Sequence, residues 1–257
     1  MRGAPGGRLR AYGPSVDLSL VDAVLAAPRD EAPRLALAER LTEQGDPIGP
    51  ALRATLGYHG KKLSRSSRSP LAERIRVWVG EIAEIARNPW KKEQGYELSR
   101  GFVEEVHLDD QGAVAHLNAL RATWPVHTLH IRGRGNTSER IDSIDPAGFA
   151  GLHWLELSGM SIDRRGAAWL ADSPELASVY MLWINNSHLD DESIETLYRS
   201  PWLARVPSVD LNSGGKLYEW IQHFTWSGAL PAELQLTDLG RHLLDTHGPR
   251  PWFPPRG

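Results

Sequence analysis

Apolar and polar residues alternate over short stretches that return at a nearly constant interval. The pairs Val106/Leu108, Leu129/Ile131, Leu155/Leu157, Leu182/Ile184 and Val209/Leu211 are spaced by 23, 26, 27 and 27 residues. Such alternation predicts strands with one buried face. Between the pairs, apolar positions switch to helical spacing over 113–122, 164–171 and 191–198. From Gly151 to Leu211 the register holds in detail. Ile162 returns as Leu189, Leu170 as Leu197, Ser173-Pro174 as Ser200-Pro201, and Leu176 as Leu203. One strand and one helix per interval predicts stacked units, none of which can bury its apolar face alone. A further helix is expected over 217–224. The segment 239–246, followed by Gly248 and a proline-rich tail, reads as a cap that closes the last unit.

Upstream the pattern is purely helical. Residues 1–14 are rich in Gly, Pro and Arg and read as a flexible lead. A first helix is expected over 18–27, with Leu20, Val21, Val24 and Leu25 on one face and Pro28 ending it. A second begins near Ala32, capped by Asp30 or Glu31, with Pro33 in its first turn and Gly45 closing it. Its buried face is expected to be Leu35, Ala38 and Leu41. A third helix runs over 50–58. After the serine-rich basic connector 61–69, a longer one opens at Pro70 and runs to about Arg87. Its stripe is Leu71, Ile75, Trp78, Val79, Ile82 and Ile85. The phrase Gly101-Phe102-Val103-Glu104-Glu105-Val106 reads as a turn entering the first strand.

The segment containing Glu31, Ala32, Pro33, Arg34, Leu35, Ala38, Glu39, Leu41, Gly45, Asp46, Pro47 and Gly49 resembles the short repeat-companion domain. That domain is found in myxobacterial and planctomycete proteins that also carry leucine-rich repeats. The chain differs from the usual pattern at Leu37, Arg40, Pro50 and Ala51. The strand-helix units, with helices such as 166–171, resemble the ribonuclease-inhibitor-like subclass of leucine-rich repeats. The resemblance implies an α/β fold: a short leucine-rich-repeat solenoid with parallel strands on the concave side and helices on the convex side, preceded by a small all-α module. It implies a flexible start at 1–14, a helical module over 15–95, a solenoid over 96–235 and a cap with tail over 236–257. The family implies no catalytic role. Its turn asparagine is replaced here by Met160, Ser187 and Gly214, so the turns need other hydrogen-bond partners.

Composition narrows the chemistry. The 257 residues are 41% hydrophobic and 24% charged, as in an ordinary globular protein. The net charge of −3 gives no general attraction to nucleic acid or anionic membranes. With no cysteine, thiolate metal sites, disulfides and cysteine nucleophiles are excluded. No stretch approaches the ~18 apolar residues that span a bilayer, and the N-terminus lacks the uniform apolar core of a secretion signal. A cytoplasmic location is the expectation. No HExxH, GxSxG or phosphate-binding glycine loop occurs.

Candidate function therefore rests on the residues that alternate with the strand leucines. His107, His130, Glu156, Trp183 and Asp210 are expected to form the central column of the open face. Thr128, Trp154, Met181 and Ser208 flank it on one side, and Asp109, Arg132, Ser158, Asn185 and Asn212 on the other. Large apolar groups on a polar face are typical interface anchors. The expected function is a non-enzymatic protein- or peptide-binding scaffold, with no cofactor. Two alternatives stand beside it. His107 and His130, with Asp109 and Glu156 nearby, could hold a metal. Lys61, Lys62, Arg65, Arg68, Arg74 and Arg76 could contact phosphates of a nucleic acid. The bland counterpart for Trp154, Met181 and Trp183 is a tail, with Trp252 and Phe253, folded over them, or a slipped register that puts them in the core. Trp169 and Trp202 are expected to pack the convex side or the interfaces between repeats.

Overall fold

The structure is a computed structural model. It describes residues 9–14, 16–56, 70–86, 95–133, 140–185, 187, 189–211 and 237–252. The expected connector 61–69, the helix over 217–224, Gly214, Asn212 and Phe253 lie outside the described residues.

The fold is mixed α/β. In chain order the helices are α1 (Leu18–Ala26), α2 (Glu31–Glu43), α3 (Ile48–Thr55), α4 (Pro70–Val79), α5 (Ile82–Ile85), α6 (Asp110–Thr123), α7 (Arg164–Asp172), α8 (Asp191–Arg199) and α9 (Asp238–His247). The strands are β1 (Tyr96–Ser99), β2 (Phe102–Asp109), β3 (Thr128–Arg132), β4 (Trp154–Ser158), β5 (Met181–Asn185) and β6 (Ser208–Asp210). They follow chain order in one six-stranded sheet. β1 and β2 are antiparallel, and β4, β5 and β6 are parallel. The chain divides into two compact units, 1–129 and 130–257, with the division inside β3.

In the first unit, Tyr12, within the stretch expected to be a flexible lead, is packed into the core. It is only 3% exposed. Its ring lies 4.9 Å from Trp78 and 4.6 Å from Trp124, and its hydroxyl donates to the Thr123 carbonyl. That early strap also explains why the helix expected over 70–87 is broken. Gly80 sits at φ +55, and a Cβ there would lie 1.8 Å from the Arg10 carbonyl oxygen. The Glu81 amide donates to that same oxygen at 3.0 Å. α4 therefore stops at Val79, and α5 starts again beyond the crossing chain.

α2 is capped by Asp30, whose carboxylate accepts from the Ala32 amide. Its buried face differs from expectation. Leu35 is exposed, whereas Arg34, Leu37, Ala38 and Leu41 are buried. The helix rotates because Arg34 has a destination. Its NH2 lies 2.8 Å from Glu104 Oε1 and donates to the Pro28 carbonyl, while its NH1 donates to the Arg100 carbonyl. The guanidinium also stacks 4.8 Å from the Phe102 ring centre. Arg100 and His127 complete the ring around the Glu104 carboxylate, at 2.9 and 3.1 Å. Burial opposes the charge on Glu104, but the His127 hydrogen bond and the two arginines outweigh it and lower its pKa. Desolvation lowers the Arg34 pKa to about 10, against the attraction of Glu104.

β1 and β2 form a hairpin whose two-residue loop, Arg100-Gly101, has φ +46 and φ +79. Two consecutive positive φ values are what a type I′ turn requires, matching the twist of the strands it joins. Gly101 is further required because a Cβ would meet Leu52 at 2.5 Å.

In the second unit the expected strands and helices are all present among the described residues. Leu155, Leu157, Leu182 and Ile184 are fully buried, and the residues between them are partly exposed. Asp163 and Asp190 begin α7 and α8 by accepting from the Gly166 and Ser193 amides. Trp202 donates to the Leu170 carbonyl at 2.8 Å and so ties one helix to the next unit, as expected; Trp169 stacks on Phe149.

Because Glu104 neutralises a buried Arg34, Glu104→Ala should lower stability by about 3–5 kcal/mol in urea denaturation. Replacing both partners, with Arg34→Met and Glu104→Leu, should cost far less. The lowered Glu104 pKa means its contribution is complete above the ordinary carboxylate range and fades as pH falls through the folded value. The gap between wild type and Glu104→Gln should therefore narrow below about pH 4.

Candidate functional site

The second unit assembles most of the expected surface on the sheet face opposite its buried leucines. β4 and β5 pair in parallel over five positions, with Trp154 beside Met181, Glu156 beside Trp183 and Ser158 beside Asn185. β5 and β6 continue the pairing, placing Ser208 beside Met181 and Asp210 beside Trp183. Residues on one face of adjacent in-register strands lie ~4.8 Å apart, so their side chains meet.

The turn after each strand holds this register. The Gly133 amide donates to the Ser158 carbonyl and the Gly159 amide to the Asn185 carbonyl, both at 2.8 Å. Gly159 adopts φ +64, and a Cβ there would press on the Gly133 carbonyl at 3.1 Å. Ser187 is buried and its hydroxyl donates to the Asn185 carbonyl at 3.1 Å. Thus backbone amides and Ser187 supply hydrogen bonds in turns that lack asparagine at 160 and 187. Met160 simply fills core space, at 0% exposure.

On the face itself, His130 Nδ1 lies 2.7 Å from Glu156 Oε2, and Ser158 Oγ donates to Glu156 Oε1 at 2.6 Å. Burial lowers the pKa of Arg132, and the Glu156 charge opposes that fall. The Trp154 ring stands edge-on to His130 at 5.5 Å and to Trp183 at 5.0 Å. Asp210 is exposed, yet the protein around it raises its carboxyl pKa through desolvation. Met181, Asn185 and Ser208 are partly exposed beside these groups.

A serine nucleophile needs its proton taken by a base at hydrogen-bond distance. Here Ser158 donates to the carboxylate and not to the imidazole. The two histidines are each engaged by a carboxylate of their own unit: His130 by Glu156, and His107 by Glu105 at 3.2 Å.

The remaining expected site residues fall outside the described residues of the second unit. Asp109 accepts from the Gly112 amide at 2.7 Å and is the N-cap of α6, which occupies its carboxylate in starting a helix. His107 lies on β2 of the first unit, and Asn212 is not among the described residues. The tail does not lie on the tryptophans at its described end. Trp252 stacks on Tyr198 of α8 at 5.4 Å and donates to the Leu203 carbonyl. Of the basic set, Arg74 is spent inside the first unit, on Asp46 at 2.7 Å and the Tyr12 carbonyl at 2.8 Å. Arg76 pairs with Glu73, three residues back on the same helix.

His153 and Tyr180 were not among the expected site residues, yet their rings lie 5.8 Å apart at the strand entrances. Their 27-residue spacing was the available signal. Tyr180 is 48% exposed. A surface depression of about 500 Å³ lies elsewhere, at the starts of α7 and α8, and is lined by Asp163, Arg164, Arg165 and Asp190. Its charges answer one another: Arg140 grips Asp163 and Arg164 grips Asp190. It offers no unbalanced charge to a ligand.

No protein-family model matches the chain, and no curated protein or solved structure matches it.

Edge-to-face aromatic pairs contribute about 0.5–1.5 kcal/mol beyond area burial. A double-mutant cycle with Trp154→Ala and Trp183→Ala, read by urea denaturation, should return a coupling of that size.

Proposed function

We propose that this chain is a non-enzymatic scaffold that binds a protein or peptide on the open sheet face of its second unit. The region 128–211 is read as a short array of leucine-rich-repeat-type units, and the first helices as a module of the repeat-companion kind. The observation that carries the reading is the Trp154–Trp183 pair, two large aromatics 5.0 Å apart on a polar strip of sheet. Side chains with purely structural duties on this unit sit between strands and helices, as the leucines do. Aromatic groups presented beside hydrogen-bonding groups are the residue types that dominate binding hot spots. The His130–Glu156–Ser158 chain supports the reading because it locks the polar part of the face in place, which reduces the ordering cost of binding.

The test is capture of the native partner by the immobilised full chain. Trp183→Ala combined with Glu156→Lys should abolish capture while leaving the circular dichroism spectrum and the denaturation midpoint near those of the wild type. Undiminished capture by that variant would contradict the assignment of the face.

A further inference from the structure

We infer that the partner presents a basic side chain, a lysine or arginine, to Trp183 on the side where Asp210 stands. The inference rests on the peptide-binding reading above and narrows it to a class of partner. Register places Trp183 between Glu156 on β4 and Asp210 on β6. The two carboxylates differ in how their charge is met. Glu156 is held by His130 at 2.7 Å and Ser158 at 2.6 Å, and it interacts with Arg132. Asp210 is exposed and pairs with no cation among the described residues. One flank of the indole therefore carries a satisfied carboxylate and the other, among the described residues, an unanswered one.

The apolar surroundings fix the rest of the ligand. Trp154 stands against Trp183 at 5.0 Å, and Met181 lies one strand position over, in register with both Trp154 and Ser208. Arginine and lysine pair an apolar stem with a cationic head. The stem suits Met181 and the tryptophans, and the head suits the indole face and the Asp210 carboxylate. A neutral side chain would satisfy only the first need, and an acidic one would be repelled. Tryptophan is the best of the aromatic residues for holding a cation. A surrounding that disfavours the Asp210 charge gains from any cation that arrives there.

The test starts from the full-length chain immobilised and used to select peptides from a displayed library of random twelve-residue sequences. The selected peptide is then synthesised with each arginine replaced by citrulline and each lysine by norleucine, which remove charge and keep the stem. Selected peptides should be rich in arginine and lysine. Neutralising the critical residue should weaken binding about tenfold. Asp210→Asn should cause the same loss for the native peptide and none for the citrulline form, at an unchanged melting temperature. Binding that needs Trp183 but ignores both citrulline and Asp210→Asn would overturn this inference and leave the peptide-binding reading standing. Peptide binding unaffected by Trp183→Ala, or no selectable peptide at all, would overturn both.

Discussion

Parallel strands cannot be joined by a tight turn, so every crossover in the second unit must leave one strand and come back at the same height. The open face of that unit depends on this constraint. The 27-residue interval meets it with the same parts twice. An aspartate starts the helix, a buried leucine ties it to the sheet, and a Ser-Pro step turns into a short 3-10 segment that leads into the next strand. The arginine of one unit grips the capping aspartate of the next, Arg140 on Asp163 and Arg164 on Asp190. These exposed pairs contribute little individually. Their consequence is geometric, since they and the turn amides at Gly133 and Gly159 resist a one-residue slip. Such a slip would move Trp154 and Trp183 into the core and the leucines into water.

The first unit is organised by a buried charge. Arg34 has no exposed surface, and the network of Glu104, Arg100 and His127 makes that tolerable. This gives physical content to the motif in which Arg34 lies. Asp46 accepts from the Ile48 amide and grips Arg74, and Gly49 allows α3 to approach Thr42 where a Cβ would collide at 2.5 Å. Each of these residues has a packing or hydrogen-bonding duty. The motif therefore speaks for how these helices fold together.

Most of the second unit could be read in advance because its forces are local and periodic. Alternation placed β3 to β6, and helical spacing placed α7 and α8 within a residue or two. What escaped the reading depends on partners far away in sequence. Gly80 breaks a helix because of a carbonyl at Arg10. Arg34 turns inward because of a carboxylate 70 positions on. Tyr12, in a stretch whose composition suggests disorder, is held by Trp78 and Trp124. Asp109 satisfied the strand alternation, yet a helix starting at the next residue claimed its carboxylate. At the site, the identity of the face was legible, and the bonding among its members was not. The column order set His130, 26 residues earlier, beside Glu156, but nothing in it indicates that Ser158, on the same strand, would bind the same carboxylate.

A face of this kind differs from a core in one respect that can be measured directly: which protons its tryptophans meet. Nuclear Overhauser contacts in the full-length chain test the register from which the proposed surface follows. The account predicts contacts between the indoles of Trp154 and Trp183, and between Trp154 and the His130 ring, whose centres lie 5.0 and 5.5 Å apart. Contacts from Trp183 to the methyl groups of Leu170 or Leu197 on the helices would place it in the core and contradict the account.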